Sequence, residues 1–183
     1  DFSNDEKMVQ DQISRYLSDN CGLDACRRVV DGKALYAESV WRGLGELGVM
    51  GSAISDKFGG VDAGYLTLCL AARELGAKLA PIPFSSSIYL AAEAITLFGT
   101  DVQKEAWLPR LASGEVIGTL AVSESSGDAT PESITLRYSG GSISGQKLIV
   151  PHGLIADVAV VLVREDTGVS MVLVELDQVE RQA

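Results

Sequence analysis

The spacing of apolar residues changes at Gly118, and that change limits what this chain can become. Before it, apolar residues recur every three or four positions, and after it they alternate or run without a break. The two rhythms bury their apolar sets in different ways, as a helix stripe and as a strand face. A chain with one and then the other is expected to be α+β. That means an all-α domain over residues 1–117, then a small antiparallel β-domain over 118–183. The junction, Gly118 to Asp128, begins as an apolar run and ends in small, hydroxylated and acidic residues. A strand of that make-up delivers backbone amides to a ligand at its end, so junction and site are expected together.

In the first half, Asn4 to Leu17 reads as a polar helix with Met8, Ile13 and Leu17 on its drier side, followed by a break at Cys21-Gly22. From Lys33 to Leu47, Tyr36, Val40, Leu44 and Leu47 form one stripe that Gly48 ends, and Trp41 is assigned to the core. Gly59-Gly60 is a turn, since no lysine leads from it into a helix as a phosphate loop requires. Gly64 to Leu79 places Tyr65, Leu68, Cys69, Ala72, Leu75 and Leu79 inward, with Arg73 and Glu74 on the wet face. After Pro81 and Pro83, Ser85-Ser86-Ser87 caps a helix carrying Ile88, Ala92, Ile95 and Phe98. Thr100 with Gln103 is a capping box for a last helix bearing Val102, Ala106, Trp107 and Leu108.

In the second half, Ile134, Leu136 and Tyr138 alternate, and Gly140-Gly141 offers a two-residue hairpin turn. Ile143 to Val150 is expected to return as a strand that Pro151 ends. Val158 to Val163 suits a strand covered on both faces, and Val169 to Leu176 follows the turn at Asp166-Thr167-Gly168.

Several functions are disfavoured. A net charge of −10 leaves no basic stripe for nucleic acid or an anionic membrane. No apolar run reaches the roughly 18 residues of a membrane span. Cys21, Cys26 and Cys69 lack metal-ligand spacing and fit thiols in a reducing, cytoplasmic setting. The single histidine, His152, excludes a His-rich metal site, and no G-x-S-x-G elbow accompanies it. Following a proline in a turn, His152 reads as a surface residue. Glu124 reads equally as a solvated or ion-paired carboxylate, and Ser123 and Ser125 as partners for backbone groups at a strand end. Asp1 opens the chain with neither the basic flank nor the apolar core of a signal peptide, so residues upstream of it are expected.

Several segments together resemble the acyl-CoA dehydrogenase family, in the family order. They are Trp41 to Gly51, Asp56 to Gly60, Gly99 to Lys104, and Trp107-Leu108-Pro109 to Ser113-Gly114-Glu115. In the strand half, Leu120-Ala121-Val122-Ser123-Glu124 resembles the flavin-contacting A-x-T-E-P strand. Gly145-Gln146-Lys147 resembles the G-x-K hairpin, and Ala156-Asp157 the A-D that opens the next strand.

The resemblance implies helical and β-domains that hold FAD and an acyl-CoA thioester between them. It also implies a C-terminal four-helix domain, absent from these residues, that carries the catalytic glutamate, so no catalytic residue is expected in this chain. The implied cofactor contacts are Leu120, Ala121, Val122, Ser123 and Gly127 from the first motif, with Ile149, Val150 and Pro151 from the second. Ser125, Ser126 and Asp128 are the implied substrate contacts, and no metal site is implied. The implied partners are acyl-CoA, similar subunits in a homo- or hetero-oligomer, and electron-transfer flavoprotein or a comparable acceptor.

The departures are specific. The family continues its first motif as E-P-G-A-G-S-D, where this chain has the shorter Glu124-Ser125-Ser126-Gly127-Asp128. The second motif, G-x-K-x-W-I-T-N, appears as Gly145 to His152, with Ile149 for tryptophan and Pro151 for threonine. Proline brings neither a hydroxyl nor an N–H. Such changes resemble the bacterial steroid and dicarboxylate branch, in which two unlike subunits pair. Three readings stay open: a dehydrogenase, a non-catalytic partner subunit, and a CoA-ester-binding module.

Overall fold

A computed structural model describes residues 2–126 and 129–182. They form two compact units: Asp1–Phe84 with Ile95–Glu115, and Ser85–Ala94 with Val116–Ala183. The helices are α1 (Asn4–Asn20), α2 (Leu23–Val30), α3 (Glu38–Glu46), α4 (Gly64–Ala77), α5 (Glu93–Phe98) and α6 (Asp101–Ala112). The strands are β1 (Gly118–Ala121), β2 (Tyr138–Ser139), β3 (Ser142–Ile143), β4 (Val158–Glu165) and β5 (Gly168–Glu175). The arrangement is α+β, as the rhythm of the sequence dictates. No helix among the described residues is long and apolar enough to cross a membrane.

In the first unit, α1 opens with a capping box in which Ser3 and Glu6 exchange bonds of 2.7 and 3.2 Å. It buries Ile13 and Leu17, while Met8 is left outside. The periodicity overlooks α2 because that helix buries no side chain. The stripe from Lys33 begins only at Glu38, where Val40, Trp41 and Leu44 enter the core. Trp41 is a core residue whose indole N–H donates to the Gly114 carbonyl at 2.9 Å. Gly45 allows α3 to pass the backbone of Ser113, whose carbonyl oxygen would lie 2.2 Å from a Cβ there. Gly48 takes the left-handed conformation that ends the helix, at φ 72°.

α4 is rotated from the expected orientation. Tyr65 and Cys69 are exposed, while Thr67, Leu70 and Glu74 join Leu68 and Leu75 inside. Glu74 is a correction to the wet-face reading: its carboxylate accepts a 2.7 Å bond from Gln10 of α1, which satisfies it where it is buried. Arg73 does lie in solvent. The Thr100–Gln103 box caps α6 as its sequence indicates. That helix buries Leu108, Leu111 and Ala112, leaving Val102 and Ala106 exposed.

In the second unit, β4 lies between β1 and β5, which accounts for its unbroken burial from Val158 to Val161. β4 and β5 are antiparallel, but β1 pairs with β4 in parallel, from Gly118 opposite Val158 to Ala121 opposite Val161. The sheet is therefore mixed. A long crossover joins β1 to β4, and parallel pairing requires one. The Gly140-Gly141 hairpin forms as expected between β2 and β3, with φ of 59° and 81°. The returning strand stops at Ile143 and does not reach Val150. Ser85–Ala92 is a π-helix, not an ordinary capped helix, and it packs against β1. The buried Ser87 hydroxyl there accepts the Gly118 N–H at 3.0 Å.

Candidate functional site

The site is built at the C-terminal end of β1. Thr119 is fully buried, and its hydroxyl donates to the Pro151 carbonyl at 2.6 Å. Leu148 N–H donates to the Ser123 carbonyl at 2.8 Å, and Lys147 Nζ to the Val122 carbonyl at 2.9 Å. Two segments that are distant in sequence thus lie side by side, 119–124 against 147–151. Ala121 is buried, Leu120, Val122, Ser123 and Val150 are half-buried, and Ser125, Ser126, Ile149 and Pro151 are exposed. Gly127 and Asp128 lie outside the described residues.

Glu124 braces this arrangement. Its carboxylate meets Lys147 Nζ at 2.7 Å, and the two side chains are only 13% and 6% exposed. It also accepts from the Thr135 and Leu136 amides, at 3.0 Å each, and from the Thr135 hydroxyl. Burial raises its pKa, but these donors outweigh that effect and hold it at about 2. A carboxylate so engaged stays ionised and is no proton shuttle. The ion-paired reading of Glu124 is therefore the one the geometry selects.

The loop after Pro151 is held from three sides. Arg181 Nη1 donates to the carbonyls of Gly153, Leu154 and Ala156, at 3.3, 3.2 and 2.8 Å. Thr119 holds Pro151, and Ser86 Oγ meets His152 Nδ1 at 2.9 Å. Ile149 and His152 adopt φ of 55° and 54°, a region that a β-branched residue such as isoleucine rarely enters. Strain of this kind persists only where the surroundings fix it. His152 is exposed, as its turn context suggests, yet partial burial pushes its pKa below 6.5. Sequence reading misses its partner, Ser86, because nothing in a serine run points to a residue 66 positions on.

Chemically, the arrangement is suited to binding and orienting. Ser86 beside His152 is no nucleophile, because Ser86 is fully buried and a substrate carbonyl has no path to it. Among the described residues, no cluster of three or more His, Cys, Asp or Glu could hold a metal ion. In the first unit, a small cleft bounded by Val9, Ile13, Leu47, Val49 and Val61 has no titratable side chain in its wall.

Comparisons with known proteins converge. A sequence profile described as "Acyl-CoA dehydrogenase, N-terminal domain" matches residues 3–115. Isovaleryl-CoA dehydrogenase, mitochondrial, from Arabidopsis thaliana is 28% identical over 91% of this chain and 42% of its own length. Among solved structures, glutaryl-CoA dehydrogenase from Mycobacterium smegmatis superposes with a TM-score of 0.84 at 31% identity. That match covers 96% of this chain and 46% of the other. The ChsE4-ChsE5 complex from Mycobacterium tuberculosis shares the fold, with a TM-score of 0.84 at 24% identity over 97% of this chain and 48% of that one. The chain spans about two fifths of the length of the isovaleryl-CoA dehydrogenases it matches.

Proposed function

The chain belongs to the acyl-CoA dehydrogenase family, and we propose that it forms the N-terminal and middle parts of a subunit that oxidises an acyl-CoA thioester between its α and β carbons with FAD. The division at residue 117 into a helical domain and a β-domain is kept as part of this proposal. The observation that carries it is the pairing of 119–124 with 147–151 through the Leu148–Ser123 and Lys147–Val122 bonds. It brings together the two segments that resemble the family's flavin motifs.

These residues fit the edge of a flat ring. The strand end places half-buried apolar Leu120 and Val122 beside Ser123, and the facing loop offers Ile149 and Val150. Leu120, Ala121, Val122, Ser123, Ile149, Val150 and Pro151 would hold the flavin, with Gly127 beyond the described strand end. Ser125, Ser126 and Asp128 would meet the thioester. Bound FAD supplies a two-electron acceptor for hydride. This chain's own part is to orient: Lys147 and Glu124 fix the strand end, while Thr119, Ser86 and Arg181 fix the loop. The proton-abstracting base is assigned to a later part of the polypeptide, and electron-transfer flavoprotein or a similar acceptor to the reoxidation step, in the cytoplasm.

Purified protein at its full natural length is expected to be yellow and to bleach when the right acyl-CoA is added. A colourless protein that takes up no added FAD and reduces no acceptor with any acyl-CoA overturns the reading. A second reading, a non-catalytic subunit of a heteromeric dehydrogenase, is favoured by Pro151. It has no N–H, and its carbonyl is already engaged by Thr119. An active homo-oligomer formed by this protein alone rules that second reading out.

A further inference from the structure

The loop that faces the end of β1 has one polar side chain. From Leu148 to Ile155 the sequence is Leu-Ile-Val-Pro-His-Gly-Leu-Ile, so any side-chain hydrogen bond from it comes through His152. The loop's backbone is largely committed to itself and its neighbours. The Val150 carbonyl accepts from Gly153, and the His152 carbonyl from Ile155 and Ala156. The Pro151 carbonyl is taken by Thr119, and those of Gly153, Leu154 and Ala156 by Arg181.

The imidazole itself is positioned. Its Nδ1 lies 2.9 Å from the hydroxyl of Ser86, which is fully buried in the π-helix. That contact fixes the ring plane and directs Nε2 away from Ser86. An insertion of the π type is often found where a helix serves a site. Left-handed backbone at both Ile149 and His152 marks the same loop as held against its local preference.

We propose that His152, oriented by Ser86, is the residue through which a side chain of this loop hydrogen-bonds the ligand, using Nε2 to meet the polar edge of a planar heteroaromatic ring, the flavin in the reading above, on which this inference rests. Partial burial lowers the imidazole pKa and so favours the neutral form, which offers one polar ring nitrogen to the ligand without a charge. Ser86 is then a positioning residue, acting only through His152.

The test uses the geometry of amide mimics. Glutamine places its amide nitrogen near the position of Nε2, and asparagine near that of Nδ1. Apo-protein at full natural length is titrated with FAD and followed by flavin fluorescence and visible absorption. If the inference holds, His152→Gln, which keeps a donor at the Nε2 position but loses the Ser86 contact, binds within about threefold of wild type, and His152→Asn weakens binding about tenfold and shifts the flavin band. Ser86→Ala weakens binding in the same direction, by about threefold. The reverse order, with asparagine tolerated and glutamine not, makes His152 a strut held through Nδ1 and overturns the proposal. Equal binding by wild type and all variants overturns it while leaving the flavin reading intact. A wild type that binds no FAD overturns both. Should the variants fold poorly, 15N NMR of the wild-type imidazole decides: the Nε2 resonance is expected to move when FAD is added, and a fixed resonance refutes the contact.

Discussion

Glu124 and Lys147 define the energetics of the site at the level of single residues. Their ion pair is nearly closed to solvent, and both groups make further hydrogen bonds, which is the condition under which a buried pair holds its place. Lys147→Met leaves a carboxylate without its counter-charge and is expected to cost about 3 kcal/mol in urea unfolding. Adding Glu124→Gln to that variant should recover part of the loss, since the stranded charge is then gone. The pH dependence has a definite sign. The folded-state pKa of Glu124, about 2, lies below its ordinary 4.5, so the folded protein binds that proton less readily than the unfolded chain. Its stabilising contribution is complete above about pH 4.5 and is lost as the pH falls toward 2. An acid titration of wild type against Glu124→Gln should show the two curves converging across that window, and parallel curves would argue against the brace. Sequence alone left the role of Glu124 open, because Thr135, Leu136 and Lys147 reach it from positions 11 to 23 residues away.

Among the elements, helix ends and turns were legible and helix faces were less so. The Thr100–Gln103 box and the Gly140-Gly141 hairpin need only neighbours a few residues apart, and both formed as read. Thr100→Ala should lower stability by about 1 kcal/mol, measured by chemical denaturation, through loss of one capped amide. Gly45 belongs to a different class. Its substitution by alanine would place a methyl 2.2 Å from the Ser113 carbonyl, so either α3 or the end of α6 must shift. A loss of about 1–3 kcal/mol is expected, visible as a lower midpoint in a thermal melt. On α4, a periodicity that chose Tyr65 and Cys69 for the core could not know that Gln10 would satisfy Glu74. Hydropathy ranks a cysteine above a glutamate, but a hydrogen-bond partner reverses that order.

For the whole molecule, the informative segment is Ser85–Ala94, which clusters with the strands although helices flank it in sequence. The Ser87 hydroxyl, which accepts the Gly118 N–H, is one of its ties to β1. Ser87→Ala leaves that buried N–H without its acceptor and should cost about 1–3 kcal/mol. Hydrogen exchange should then speed up together in 85–94 and in β1 and β4, with α1 and α4 unaffected. Acceleration in α4 instead would contradict the grouping of the segment with the second unit.

The sequence by itself determined the α+β order, the family, the capped start of the Thr100 helix, the glycine hairpin and the central strand at Val158–Val163. Each depends on composition or on neighbours within a few positions, where backbone preference and side-chain period act directly. Only the tertiary structure decided that β1 runs parallel to β4, that Glu74 lies inside, and that Ser86 holds His152. Those outcomes turn on groups tens of residues apart, whose desolvation is offset only once the chain has brought a partner to them.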